Sequence, residues 1–388
     1  MLAKIIHAGA ALPSFELAAR TLLALADLSI SGRHVGRLTE AIGAELVAAR
    51  DTRAEQHRQR KLEAQVANVP SVVVVEVDGG RYQQRADGSG PGVFDPAWRE
   101  DKGACVLSLT SGTHEVDPQP EPPACFLDRR HVRNMTRQST GEESPEESGD
   151  IPPPVPADSP IPAWQPQRLV RTCVATTRTS EEFGRLVGAE AQARNFAAAS
   201  RKAFVADGQA YNWSIQERWF ADYVPVVDFI HVLGYVWQAA TALGGSERQR
   251  WDRYATWMRS CWQGRASEVL AELDREQQRV GTAPADAEPT DVRVVLERVR
   301  GYLTNNATRM DYPSIRRSGL PVTSSWMESL IKEINYRVKG TEKFWNVNRA
   351  ESVLQVRAAL LSDDDRLAEH MAARPGSAFR RQPVARAA

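Results

Sequence analysis

Three carboxylates stand where a site built on oxygen ligands would need them. Asp78 closes the run Ser71-Val-Val-Val-Val-Glu-Val-Asp78, whose β-branched density predicts a buried strand ending at the pair Gly79-Gly80. Asp207 closes a second run, Ala203-Phe-Val-Ala-Asp207, before Gly208. Glu328 falls in the first turn of a predicted helix whose apolar stripe is Met327, Leu330, Ile331 and Ile334. Open α/β sheets form their sites at the carboxyl ends of strands. Two strand-end carboxylates met by a third from a helix can hold divalent cations through oxygen, the donor Mg²⁺ prefers. With two such ions, a site can activate a nucleophilic oxygen and stabilise the leaving oxygen of a phosphodiester. Each residue also has a plainly structural reading. Asp-Gly is a common turn, and Ser325-x-x-Glu328 matches a capping box.

The elements that must position these residues follow from periodicity. Residues 14–62 read as helical, with Phe15, Leu17, Leu22, Leu23 and Leu25 in a first helix and Val35, Leu38, Ile42 and Leu46 in a second. The turn Asp27–Gly32 between them has helix-turn-helix spacing, and an ordinary helical hairpin packing on the next domain fits equally. Further strands are expected at Tyr82–Arg85, Ala104–Thr110 and Arg168–Thr176. A helix capped by Thr179 or Ser180 should run to about Ser200, then a short helix spans Asn212 to Phe220. Val224-Pro-Val-Val-Asp228 is again of strand type, and the chain looks mostly helical from Phe229 to about Thr304. Six of the ten tryptophans fall between Trp213 and Trp262, which fits a helical core better than a base-stacking surface. A last helix covers about Arg349 to Leu361, and the tail beyond Arg374 reads as disordered.

The charge is balanced, 49 Lys and Arg against 49 Asp and Glu, but it is not evenly spread. Residues 113–160 hold ten acidic and four basic residues, and twelve of the 23 prolines lie between Pro118 and Pro166. Such a stretch buries too little apolar surface to order itself, so 113–166 is expected to be an irregular insertion with an ordered island from Phe126 to Met135. Residues 293–349 hold eleven basic and five acidic residues. There Arg337, Lys339, Lys343 and Arg349, with Trp345 among them, are the candidate DNA contacts, because cations neutralise phosphates and an aromatic ring can stack on a splayed base. The four cysteines, Cys105, Cys125, Cys173 and Cys261, show no metal-binding spacing, and no apolar run is long enough to span a membrane. The expected setting is the cytoplasm, at the nucleoid, with no membrane partner.

Several ordered blocks resemble a bacterial DDE transposase of the ISKra-type insertion-sequence family. They are Val77-Asp78-Gly-Gly-Arg81, Trp98-Arg-Glu-x-Lys102, Leu169-Val-Arg-Thr-Cys-Val-Ala-Thr176, Phe204-Val-Ala-Asp207-Gly208 and Asp228-Phe-Ile-His231-Val-Leu-Gly-Tyr235. The closing blocks are Gly319-Leu-Pro-Val-Thr-Ser-Ser325 with Glu328-Ser, and Arg337-Val-Lys-Gly-Thr-Glu-Lys343-Phe-Trp345. The resemblance runs from about residue 15 to about 360. It implies an α/β, RNase H-like mixed sheet, with the Asp78 strand beside the Asp207 strand and Glu328 arriving on a helix after a helical insertion. It implies Asp78, Asp207 and Glu328 as catalytic metal ligands for two Mg²⁺ or Mn²⁺ per active site. The implied chemistry is DNA strand cleavage and strand transfer at element ends, by a homo-oligomer on DNA. Family members carry Gly-Ser-Gly before the helix bearing the glutamate, where this chain has Thr323-Ser324-Ser325. Asp228 competes for the role of second ligand, and Asp228-x-x-His231 resembles a motif of related transposase groups. Asp207 is preferred, because in the implied sheet its strand lies beside that of Asp78.

The domain boundaries that follow are an N-terminal helical region over 1–65, a first core part over 66–231 containing the insertion 113–166, a helical insertion over 232–318, final core helices over 319–365 and a disordered tail over 366–388. Two other functions share some of these features. A catalytically inactive or truncated DNA-binding relic fits the Ser-Ser turn and a chain that begins close to its first helical block. A nuclease acting on RNA–DNA hybrids shares the carboxylates.

Overall fold

The computed structural model describes residues 1–67, 69–85, 97–140, 164–340 and 342–375. Three helices come first, α1 (Leu2–Ala11), α2 (Phe15–Ala26) and α3 (Gly32–Arg58). The sheet and its connections follow as β1 (Val72–Gln84), β2 (Trp98–Thr110), α4 (Arg129–Thr140), β3 (Gln167–Thr176), α5 (Ser180–Ala193), β4 (Arg201–Ala206), α6 (Ala210–Trp219) and β5 (Val224–Val227). Five helices come next: α7 (Phe229–Ala242), α8 (Glu247–Trp262), α9 (Ala266–Val280), α10 (Val292–Asn306) and α11 (Tyr312–Arg317). The chain closes with α12 (Ser325–Val338), β6 (Phe344–Trp345), α13 (Val347–Leu361) and α14 (Arg366–Ala373). Among the described residues no helix is long and apolar enough to cross a membrane.

The sheet is mixed, in the order β3-β2-β1-β4-β5, with the short β6 alongside the far end of β1. β1, β2 and β3 run antiparallel, whereas β4 is parallel to β1 and β5 parallel to β4. The valine run of β1 is buried on both faces, as a central strand requires. Helices cover both sides. On one, the Met327 amide of α12 donates to Glu76 and the Cys173 thiol meets the Leu361 carbonyl of α13. On the other, Arg194 at the end of α5 bonds Thr172 and Ser108.

Several expectations need correcting. Asp78 does not end its strand, because Gly79 and Gly80 stay in register with Lys102 and Asp101 of β2. The expected strand at Tyr82–Arg85 is the far end of β1 itself, and β2 begins at Trp98, six residues before Ala104. Backbone pairing with β2 holds the glycines extended where isolated reading suggests a turn. The helix after Thr179 stops at Ala193, where Asn195 takes a left-handed φ of 59°. Residues 366–373 form a helix rather than a tail, anchored by Arg366, which pairs with Glu190 at 2.6 Å and Asp364 at 2.6 Å. The far tail expected to be disordered, from 376 on, lies outside the described residues, as do residues 141–163 of the acidic insertion. The described part of that insertion fits the expectation: residues 113–123 hold no helix or strand, a 3-10 turn at Ala124–Leu127 and then α4 take in the island, and Asp117 pairs with the fully buried Arg316. Part of the acidic excess therefore neutralises the chain's own basic stretch.

α2 and α3 pack as a helical hairpin. α3 is 27 residues long and lies against α13. Arg50 of α3 pairs with Glu351 of α13 at 2.6 Å, and Glu351 also accepts from the Thr177 amide at 2.7 Å. Gly43 marks the closest approach, since a Cβ there would sit 2.2 Å from the Ser352 carbonyl oxygen. In a free helix, Gly43→Ala would stabilise by up to about 1 kcal/mol through helix propensity. Against α13 it should instead destabilise by about 1–3 kcal/mol through overpacking. Urea denaturation reads the sign.

Candidate active site

The parallel pairing places three aspartates in one row. β1 and β4 are in register at Val77 and Ala206, and β4 and β5 at Ala206 and Val227. The next residue on each strand is Asp78, Asp207 and Asp228. In-register neighbours on parallel strands point to the same face, here the face covered by α12. Asp207 is thus the neighbour of Asp78, and Asp228 lies one strand further out.

α12 can come down onto this row because Gly103 stands opposite Asp78 on β2. A Cβ on Gly103 would lie 2.7 Å from the Met327 methyl. Glu76, two residues before Asp78 and fully buried, accepts the Met327 amide at 2.9 Å, capping the first turn of α12. Burial pushes its carboxyl well above the ordinary range, with Asp228 and Glu328 adding to the rise. Nothing in the sequence marked Glu76 as functional, because it reads as one polar position in a valine strand. The expected capping box does not form. The residue preceding α12 is Ser324, whose hydroxyl goes to Asp228 at 2.9 Å, and Glu328 sits one position too far along. Its carboxylate is partly exposed, with Lys332 at 4.0 Å.

The three aspartates are treated differently. Asp228 is fully buried and accepts four hydrogen bonds: Ile230 N at 3.1 Å, Ser324 N at 3.2 Å, Ser324 Oγ at 2.9 Å and His231 Nδ1 at 2.8 Å. It joins the start of α7 to the start of α12. Asp207 is held by its own turn. Its carboxylate accepts from Gln209 N, Gln209 Nε2 and Asn212 Nδ2 at 3.0, 2.7 and 2.9 Å, while Tyr302 bonds its carbonyl at 2.9 Å. Gly208 is required there, with φ at 98° and the Tyr302 ring 2.7 Å from where a Cβ would be. Among the described residues Asp78 accepts only from the Gly79 amide, at 2.7 Å. Burial raises its carboxyl to about 7; His231 opposes the rise and Asp207 and Asp228 add to it.

His231 balances the row. Burial disfavours its charged form, but the Asp228 hydrogen bond and the nearby Asp78 and Asp207 outweigh it and raise the imidazole to about 10. With Nδ1 held by Asp228, Nε2 is left for the cleft that His231 lines. Asp78, Asp207 and His231 all border one cleft of about 1470 Å³ between the sheet and the helices α4, α7, α8 and α10. Glu328 is not among its lining residues, although burial and Asp228 raise its carboxyl too.

A divalent cation is tested by these side chains. The donors are hard oxygens, and the raised carboxyls of Asp78 and Glu328 mark a place where positive charge would be welcomed. They are not, however, drawn into a coordination shell. Among the described residues no three His, Cys, Asp or Glu side chains converge to hold one ion, and three hydrogen bonds already occupy the Asp207 carboxylate.

Of the expected DNA contacts, Lys339 lines the cleft, its ammonium 5.7 Å from the Trp98 ring centre. Arg337 does not fit that role. It is 1% exposed, donates to the Gly9 carbonyl at 2.9 Å and lies over Phe15 at 4.3 Å. Trp345 donates to the Val338 carbonyl at 2.9 Å and packs edge-on to Phe15, so it too supports the α1–α2 corner. Lys343 donates to the Tyr336 carbonyl at 3.1 Å at the end of α12. Arg349 is exposed and faces Glu40 at 3.4 Å, away from the cleft lining. No protein-family model matches the chain, and no curated protein is significantly similar to it.

The raised Asp78 carboxyl sets a pH dependence. Its ordinary value is 3.8 and its folded value about 7, so the stabilisation from its neutral form is complete below about pH 4 and lost as pH rises through 7. His231, raised to about 10, stays charged over that interval. Asp78→Asn should therefore lose less melting temperature than the wild type between pH 5 and 8. A thermal-shift series over pH on both proteins reads the difference.

Proposed function

We propose that this chain is a DDE-type transposase with an RNase H-like catalytic domain, cleaving and transferring DNA strands at the ends of an insertion sequence. The observation that carries the reading is the register row of Asp78 and Asp207 on adjacent parallel strands, with α12 bringing Glu328 over the same face. The strand order β3-β2-β1-β4-β5, antiparallel on one side and parallel on the other, supports the fold assignment. Helices α7 to α11 between β5 and α12 match the helical insertion that the resemblance implies.

In this reading Asp78, Asp207 and Glu328 would hold two Mg²⁺ or Mn²⁺ ions. When bound, the metal supplies Lewis-acid stabilisation of the phosphodiester oxygens and a more acidic nucleophile. The chain's own residues do the rest. Asp228 and Glu76 fix the start of α12, Gly103 lets it approach, and His231 offsets the negative row. Lys339 and Arg81 line the same cleft and suit phosphate binding. Action on DNA as a multimer, at the nucleoid, belongs to the same proposal.

Purified protein with labelled element-end DNA and Mg²⁺ or Mn²⁺ tests it. Asp78→Asn, Asp207→Asn and Glu328→Gln should each lower cleavage at least as much as the roughly 10–100-fold lost with an outer-shell partner. Unchanged cleavage in all three overturns the triad. Because its own turn already engages the Asp207 carboxylate, a second reading has a specific basis: a DNA-binding relic without chemistry. Protein that shifts end DNA but leaves it uncut with Mn²⁺ would select that reading.

A further inference from the structure

The cleft has a second wall that the carboxylate chemistry does not use. Trp213, Trp257 and Trp262 are core residues, 6%, 3% and 1% exposed, but Trp251 and Trp237 border the cleft and are only half-buried. Trp251 is braced at its edges by Trp237, at 6.0 Å and 67°, and by Tyr254, at 5.2 Å. Its position is therefore set by packing. The Arg129 guanidinium lies over its ring at 5.3 Å. Arg129 and Arg133 of α4 share Glu247, at 3.5 and 3.1 Å, and all three side chains are about half exposed. Exposed pairs of this kind hold weakly, so a phosphate can replace the shared carboxylate. Arg250 borders the same cleft. The stacked rings of Tyr235 and Tyr302, 3.7 Å apart, continue the lining to Asp207, whose carbonyl Tyr302 bonds.

Charge and size narrow the occupant. Six lining residues are Lys or Arg against four Asp or Glu, so the cleft is net cationic even with the aspartates in it. Its 1470 Å³ exceeds the roughly 300–1,000 Å³ of a small-molecule site, which suits a polymer segment. A ring set among arginines suits stacking by a base, and a base offers its face only when unpaired and unstacked.

We infer that this helical wall binds unpaired nucleotides of a DNA strand, with Trp251 as the stacking surface and Arg129, Arg133 and Arg250 as phosphate contacts. The inference rests on the proposed action on DNA and adds that a splayed strand, rather than closed duplex, occupies the cleft.

The test uses the full chain in EDTA, so that binding is read without cleavage. Fluorescence anisotropy compares a blunt duplex, the same duplex with a four-nucleotide unpaired tail, and RNA of the tail sequence. The tailed DNA should bind at least fivefold more tightly than the blunt one, the lower end of what one base–aromatic stack contributes. Trp251→Ala should remove that preference and leave blunt-duplex affinity unchanged. Arg250→Gln, at a half-buried position of α8 beside the cleft, should lower the slope of log affinity against log salt by about 1 for the tailed DNA. Equal affinity for blunt and tailed DNA, or a preference that survives Trp251→Ala, overturns the inference and leaves the proposed function standing. Tighter binding of the RNA overturns the assignment to DNA. A tail preference in a protein that never cuts end DNA overturns the proposed catalysis and leaves the inference standing.

Discussion

Three carboxylates at one register position across three adjacent strands repel one another, and the site is organised around that repulsion. Like charges on neighbouring strands are unfavourable, more so where burial removes water. The chain answers with a different environment for each. Asp228 is sealed in with four donors, one of them a charged imidazole. Asp207 is satisfied by its own turn and the first turn of α6. Asp78, with a single hydrogen bond among the described residues, has its carboxyl raised to about 7, by burial first and then by Asp207 and Asp228. A group poised near neutrality in a cleft is what reactive sites display, although structural networks can produce the same shift.

The same interactions make the site a joint between distant parts of the chain. Asp228 grips Ser324 across 96 positions, and Glu76 grips Met327 across 251. Both bonds fall on the first turn of α12, so the placement of Glu328 is set by two buried acids that are not themselves in the predicted triad. Removing one partner of such a buried bond leaves the other unsatisfied, which costs more than the bond's net worth. The geometry of the carboxylates and the stability of the joint are therefore coupled.

Local pattern carried much of this. The β-branched run of β1, the Asp-Gly at the end of β4 and the stripe of α12 were all legible, because each element shows its own period or turn chemistry within a few residues. The neighbouring placement of the Asp78 and Asp207 strands came from the resemblance alone. What the local pattern hid was set by partners far away. The glycines after Asp78 read as a turn, yet β2 pairs with them and keeps the strand extended. Arg337 read as a DNA contact from a run of positive charge, yet the Gly9 carbonyl and the Phe15 ring, over three hundred positions away, bury it. Its surroundings lower its pKa to about 10, through burial and then Arg357, an environment unlike that of a solvent-facing phosphate ligand.

Charge balance shows the same distinction between local composition and folded context. The basic stretch and the acidic, proline-rich stretch looked like opposite poles. In the fold they partly meet, through Asp117 with Arg316, while Glu121 reaches Arg259 on α8, outside the basic stretch. Arg316, wholly buried, stacks over Trp262 at 4.1 Å. Its charge is thus spent on holding the insertion to the helical layer. The cations that remain beside the cleft come from scattered places, Arg81 on β1, Arg129 and Arg133 on α4, Arg250 on α8, Arg298 on α10 and Lys339 after α12. A cationic surface assembled from five separate segments has no signature in any one of them. It arises only when the sheet brings β1 to the helical layer, which is the arrangement the aspartate row also depends on.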